Sequence, residues 1–137
     1  MRKASVLIGI CMLAAVAFAL AAQAPTDLSP VMKDVGATQR KLGMDIMAGN
    51  AADVAASAEK LQSDFTQAEG FFKAMKAQDA VDMARANVDA AEKVVKAAKA
   101  NDMEAAKAAA KTINNSCKAC HDVHREQLPD KTYKFKQ

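Results

Sequence analysis

The sequence predicts an all-α protein whose single domain, residues 22–137, is an antiparallel four-helix bundle with up-down-up-down order. Proline and glycine are sparse beyond the first 24 residues, and apolar residues recur three and four positions apart, which is the period of a helix. Short polar breaks divide this pattern into four segments of about six turns, as in an antiparallel bundle. No segment reads as a β-strand. The length of 137 residues is that of one domain.

The N-terminal segment has the pattern of a secretory signal peptide. Arg2 and Lys3 provide a positive start, residues 4–22 carry no charge, and small residues with A-x-A spacing follow between positions 17 and 24. We expect residues 1–21 to be removed, with cleavage between about 19 and 24, and Cys11 to leave with them. The alternative is an uncleaved anchor, since about nineteen apolar residues can just span a bilayer.

The charge and cysteine content of the remaining chain exclude several classes of protein. The formal net charge is +3, and loss of Arg2 and Lys3 leaves 17 basic and 16 acidic residues, a net charge of +1. This balance gives no reason to propose nucleic acid as a partner, or a membrane surface once the leader is removed. Only Cys117 and Cys120 remain, too few for a framework of disulfides.

The first helix begins with a recognisable signal. Ser29 followed by Pro30 predicts a cap and a first helical turn, and the helix should run to about Ala48, where Gly49-Asn50 ends it. The second helix should start near Ala51 and end between residues 72 and 77. Its apolar stripe has the spacing of a bundle seam and consists of Val54, Ala58, Leu61, Phe65, Ala68 and Phe72.

Two aspartates mark the starts of the last two helices. Asp79 is the expected cap of the third helix, Asn101-Asp102 ends it, and Asp102 caps the fourth. The third stripe consists of Val81, Ala84, Val88, Ala91, Val95 and Ala98; the fourth of Met103, Ala106, Ala110, Ile113, Cys117, Cys120 and His124. The fourth helix should end near Leu128-Pro129, and the tail, residues 130–137, should be a frayed end.

The string Cys-Lys-Ala-Cys-His at positions 117–121 is the pattern of covalent haem attachment. Two thiols one helical turn apart can add to the two vinyl groups of a haem and form thioethers. His121 can then place its imidazole under the ring centre and bind the iron. The motif therefore predicts one covalent haem c, held by Cys117 and Cys120, with His121 as the proximal iron ligand.

Other interpretations of the two cysteines are weaker. A thioredoxin-like redox pair normally heads a helix in a βαβ unit, whereas this pair lies near the end of the last helix of an all-helical chain. A zinc site would use Cys117, Cys120, His121 and His124, but four ligands from one helix can hardly surround a tetrahedral ion. Cysteines without a cofactor would be a liability in an oxidising compartment.

The leader, the predicted bundle and the C-terminal motif together resemble the class II cytochromes c, the group of cytochrome c′ and low-spin cytochrome c556. The matching string is Cys117-Lys118-Ala119-Cys120-His121-Asp122-Val123-His124-Arg125, with a basic residue four places after the haem histidine. The resemblance implies a periplasmic monohaem protein, and homodimers occur in that group. His124 departs from the group, which often has an aromatic residue there. We expect it to pack near the proximal haem edge, where it could respond to pH.

The predicted topology reduces the number of methionines that could be the second axial ligand. The end of the fourth helix shares one end of the bundle with the start of the first, the end of the second and the start of the third. This places Met44, Met47 and Met103 at the far end and leaves Met32, Met75 and Met83 as candidates.

Met32 is the predicted distal ligand. It lies one turn inside the first helix, and Gly36, on the same face, leaves room for a flat macrocycle to approach the backbone. The resemblance implies the same choice, since the low-spin members of the group use a methionine of the first helix. The alternative is that Met32 only fills the core. The apolar wall around the haem is predicted to consist of Phe71, Phe72, Met75 and Val81.

These residues predict a periplasmic one-electron carrier with redox proteins as partners, and not an enzyme. If the distal site is open instead, the protein is a five-coordinate haem protein that binds NO or CO. A third hypothesis is a helical interaction module without haem.

Overall fold

The structure is a computed structural model that describes residues 25–137. It confirms the four-helix bundle. The elements are α1 (Ser29–Ala48), α2 (Ala51–Ala74), α3 (Gln78–Lys99), α4 (Met103–His124), β1 (Arg125–Gln127) and β2 (Tyr133–Phe135). The predicted signal peptide lies outside the described residues. Within residues 25–137 no helix combines the length and the apolar character needed to cross a membrane.

Short connections fix the order of the helices. Only two or three residues separate each helix from the next, so each must run antiparallel to the one before it. Gly49 ends α1 in a left-handed conformation with φ of 69°, which a residue without Cβ adopts at no steric cost. Asn50 then caps α2, and its side chain accepts a hydrogen bond from the Asp53 amide.

The helix starts differ from the sequence prediction at two positions. Ser29 is the first residue of α1 rather than its cap, and its amide donates to the Asp27 carboxylate at 2.9 Å. Asp79 does not cap α3; Ala77 occupies the cap position without a side-chain hydrogen bond, and Asp79 lies in the first turn. The prediction for α4 is confirmed, because Asp102 accepts from the Ala105 amide at 2.9 Å.

The C-terminal segment was predicted wrongly. Helix α4 ends at His124, not near Leu128-Pro129, because Arg125 turns the backbone into an extended conformation. Strand β1 then pairs antiparallel with β2, with Arg125 opposite Phe135. Residues 130–137 are therefore not a frayed end: they return along β1 and pack against the bundle.

The core of the bundle is rich in alanine and contains few large side chains. The largest fully buried apolar side chains are Leu61, Ile113, Val54 and Val94. Between them, alanines allow the helices to approach closely, so packing rather than bulk stabilises the fold. A charged cluster joins α2 to α3 at the surface, where Glu69 lies 2.6 Å from Lys73 and 2.8 Å from Arg85.

Candidate functional site

A cavity of about 470 Å³ lies at the end of the bundle where α4 ends and α1 begins. All four helices and the C-terminal strands contribute to its lining. Helices α1 and α4 pack less closely than the other neighbouring helices, which leaves space between them. The volume is within the range of small-molecule and cofactor sites in proteins.

All four residues predicted from the sequence line this one cavity: Met32 from α1, and Cys117, Cys120 and His121 from α4. Among the described methionines Met32 is the one that lines it. Met75 borders a different pocket near the turn between α2 and α3. The fold therefore brings together residues from the two ends of the described chain, as the predicted topology requires.

Helical periodicity explains why these side chains share a cavity. On α1, the lining residues are Ser29, Met32, Val35, Gly36 and Gln39; on α4 they are Cys117, Cys120, His121 and His124. Both sets follow steps of one, three and four, which keep side chains on one face of a helix. The space beside Gly36 is open: a Cβ there would meet nothing closer than Arg40 Nη1, at 3.8 Å.

The two thiols are free, half-buried and protonated at neutral pH. Burial raises the pKa of Cys117, and a hydrogen bond from Gln39 opposes this; the Gln39 Nε2 donates to Cys117 Sγ at 3.1 Å. Burial also raises the pKa of Cys120, with smaller contributions from Cys117 and Asp79. Neither thiol therefore has the lowered pKa of a redox-active or nucleophilic cysteine.

The surroundings of His121 favour the neutral form of its imidazole. Burial lowers its pKa, and the positive charge of Arg125 adds to this effect, with Asp122 opposing it. A neutral imidazole keeps a lone pair on one ring nitrogen, which is the form that binds a metal.

The apolar wall was predicted only in part. Phe71 and Phe72 line the cavity, but Met75 and Val81 do not. Helix α2 ends at Ala74, so Met75 stands outside the bundle with 39% of its surface exposed, whereas Val81 is buried in the core. The remaining apolar lining comes from residues that the sequence identified only as core or not at all: Leu28, Val35, Phe65, Ala68, Ala84 and Phe135.

One buried polar residue in the lining was missed. Asn87 of α3 is 4% exposed, and its side-chain oxygen accepts a hydrogen bond from the Ser116 hydroxyl, next to Cys117. An asparagine among the apolar positions of a helix is a visible signal, because a buried amide needs partners. This contact fixes α3 against the segment of α4 that carries the motif.

His124 is buried and also lines the cavity. The four residues of the alternative zinc site do not form a metal centre by themselves. Residues 25–137 contain no group of three or more His, Cys, Asp or Glu side chains placed to hold a metal ion.

Comparisons of the chain with protein-family models, with curated proteins and with solved structures gave no match.

Proposed function

We propose that this chain is an exported, periplasmic c-type cytochrome of the class II type, which carries single electrons between redox partner proteins. One haem c would be held by Cys117 and Cys120, with His121 as the proximal and Met32 as the distal ligand of its iron. The observation that supports this proposal most is that the thiols of Cys117 and Cys120, the His121 imidazole and the Met32 side chain all line one largely apolar cavity.

The cavity suits a haem on several grounds. It adjoins the pair of thiols that would form thioethers, and its walls include aromatic and alanine side chains that leave room for a flat apolar ring. The open space beside Gly36 lies on the α1 wall.

A bound haem would supply an iron that gains and loses one electron. The chain's own residues have three tasks. Cys117 and Cys120 anchor the group covalently; His121, kept neutral by burial, and Met32 supply nitrogen and sulfur ligands. The aromatic side chains of α2 would exclude water from the cavity. This lowers the local dielectric constant and favours the reduced state of the haem iron, which carries less charge.

The optical spectrum of the reduced exported protein, recorded with and without CO, tests this function. A carrier with both axial positions filled should show a low-spin spectrum that CO does not change promptly. A high-spin ferrous spectrum with prompt CO binding would contradict the carrier and identify a gas-binding haem protein. A protein without any haem spectrum would favour the interaction module.

A further inference from the structure

The C-terminal hairpin, residues 125–137, forms part of the cavity rather than a separate surface element. Tyr133, Lys134 and Phe135 of β2 all line the cavity, together with Arg125 at the start of β1. Most of the hairpin is exposed, but Phe135 is partly buried and packs against the core. The hairpin therefore contributes one partly buried apolar side chain, that of Phe135, to the end of the site.

Phe135 joins an aromatic cluster at the end of the bundle. Its ring centroid lies 5.2 Å from Phe72 and 5.8 Å from Phe71, and the Phe71 contact is edge to face. On its other side it stacks on the His124 imidazole, at 5.3 Å and 20° between the planes. These contacts place one ring between the ends of α2 and α4, where an uncapped bundle would open to water.

His124 holds this hairpin through contacts made by both its side chain and its backbone. Its Nδ1 lies 3.0 Å from the Lys136 carbonyl oxygen, and its own carbonyl accepts from the Lys136 amide at 2.8 Å. Its Nε2 lies 3.0 Å from Asp79 Oδ2 of α3, close enough for an ion pair but not aligned as a hydrogen bond. Beyond it, the Gln137 Nε2 donates to the Met75 carbonyl.

We propose that residues 125–137 act as an aromatic cap of the haem site, which excludes water from the cavity through Phe135 and is held in place by His124. The proposal rests on the function proposed above. A cap of this kind shields the iron from solvent, and exclusion of water raises the reduction potential, because the charged oxidised state loses stabilising water. His124 is then a positioning residue, which acts through Phe135.

The test uses the exported full-length chain with four substitutions. Phe135→Ala removes the cap's ring, Phe135→Leu keeps an apolar side chain there, and His124→Ala removes the side-chain contact to Lys136. Lys136→Ala is the matched control, since Lys136 contacts His124 through its backbone only. Far-ultraviolet circular dichroism establishes that each variant retains the helical bundle.

Two quantities are measured: the reduction potential, and the rate of hydrogen exchange at the Lys136 amide, which donates to the His124 carbonyl. We expect Phe135→Ala and His124→Ala to lower the potential and to speed exchange at the Lys136 amide by roughly tenfold or more. Phe135→Leu should change both less, and Lys136→Ala should leave both unchanged. Equal potentials in the four variants and the unsubstituted protein would overturn the cap's role at the haem.

The two proposals fail in distinguishable ways. If the exported chain carries no haem, the proposed function is wrong, and there is no potential to measure. Hydrogen exchange would then still report whether His124 and Phe135 hold the hairpin. Unchanged exchange in both alanine variants would show that the hairpin does not depend on these contacts, whatever the cavity binds.

Discussion

Replacing Met32 with leucine separates a methionine that binds iron from one that only fills the core. Met32 is partly buried and packs against the core at the α1 wall of the cavity. Leucine has a similar volume, and such exchanges cost less than about 1.5 kcal/mol of unfolding free energy. The bundle should therefore remain folded. A leucine side chain has no lone pair to offer a metal, so the distal position should open.

The expected result is a large change in iron coordination at a small change in stability. The reduced Met32→Leu protein should bind CO promptly and lose the low-spin spectrum expected of the unsubstituted protein. Its unfolding free energy, measured by urea titration, should fall by no more than about 1.5 kcal/mol. Met75→Leu is the control, because Met75 is 39% exposed and lies outside this cavity. It should leave the spectrum unchanged.

One pattern would refute the choice of Met32. If the Met32→Leu and unsubstituted proteins have the same low-spin spectrum and neither binds CO, then Met32 only packs against the core and another group fills the distal position.

Three further predictions concern stability. Leu61→Ala should lower the unfolding free energy by about 3 kcal/mol in urea titrations, because Leu61 is fully buried and its small neighbours cannot fill the space it leaves. The control Met47→Ala, at an 85% exposed position, should change the unfolding free energy by no more than about 0.5 kcal/mol. Equal losses in the two variants would contradict the assigned core. Cys117→Ser combined with Cys120→Ser should leave a loosened bundle that keeps its far-ultraviolet and loses its near-ultraviolet circular dichroism; native near-ultraviolet signals and an unchanged melting temperature would contradict this. Hydrogen bonds from Lys73 and Arg85 lower the pKa of Glu69 below 4.5. The stabilising effect of the Glu69 carboxylate should therefore be fully present above pH 4.5 and disappear as the pH falls through the lowered pKa. If the unfolding free energies of the unsubstituted protein and Glu69→Gln differ by the same amount at pH 3 and pH 7, this prediction is wrong.

The helices were predictable because their signals are local. The spacing of apolar residues gave four helices, and residues such as Gly49 and Asp102 marked boundaries that the structure confirms. Their effect depends on a backbone conformation or a hydrogen bond within three residues, so no knowledge of the rest of the fold is needed.

The hairpin was missed because its support is non-local. Pro129-Asp130 is a turn signal, and Tyr133 and Phe135 alternate as in a strand, but strands of three residues are too short to be stable alone. The packing of Phe135 against α2 supplies what the local sequence lacks. That contact joins residues more than sixty positions apart.

The candidate site also has a part that the sequence predicts and a part that it does not. The motif residues are adjacent in sequence, and the order of the helices was enough to predict that Met32 lies at the same end of the bundle. The residues that form the wall could not all be predicted, because helical periodicity does not fix which side chains near the end of α2 face the cavity; Phe71 and Phe72 face it and Met75 does not. The hydrogen bond between Ser116 and Asn87 joins α4 to α3. It could not be predicted, because the rotation of one helix relative to the other does not follow from periodicity alone.

The intact mass of the exported protein tests most directly whether Cys117 and Cys120 bind a haem covalently, as proposed. The mass should exceed that of the processed polypeptide by one haem, and the excess should survive acid–acetone extraction. It should be absent from the chain in which both cysteines are serine. A mass equal to that of the polypeptide alone, or an excess that extraction removes, would contradict covalent attachment at this site.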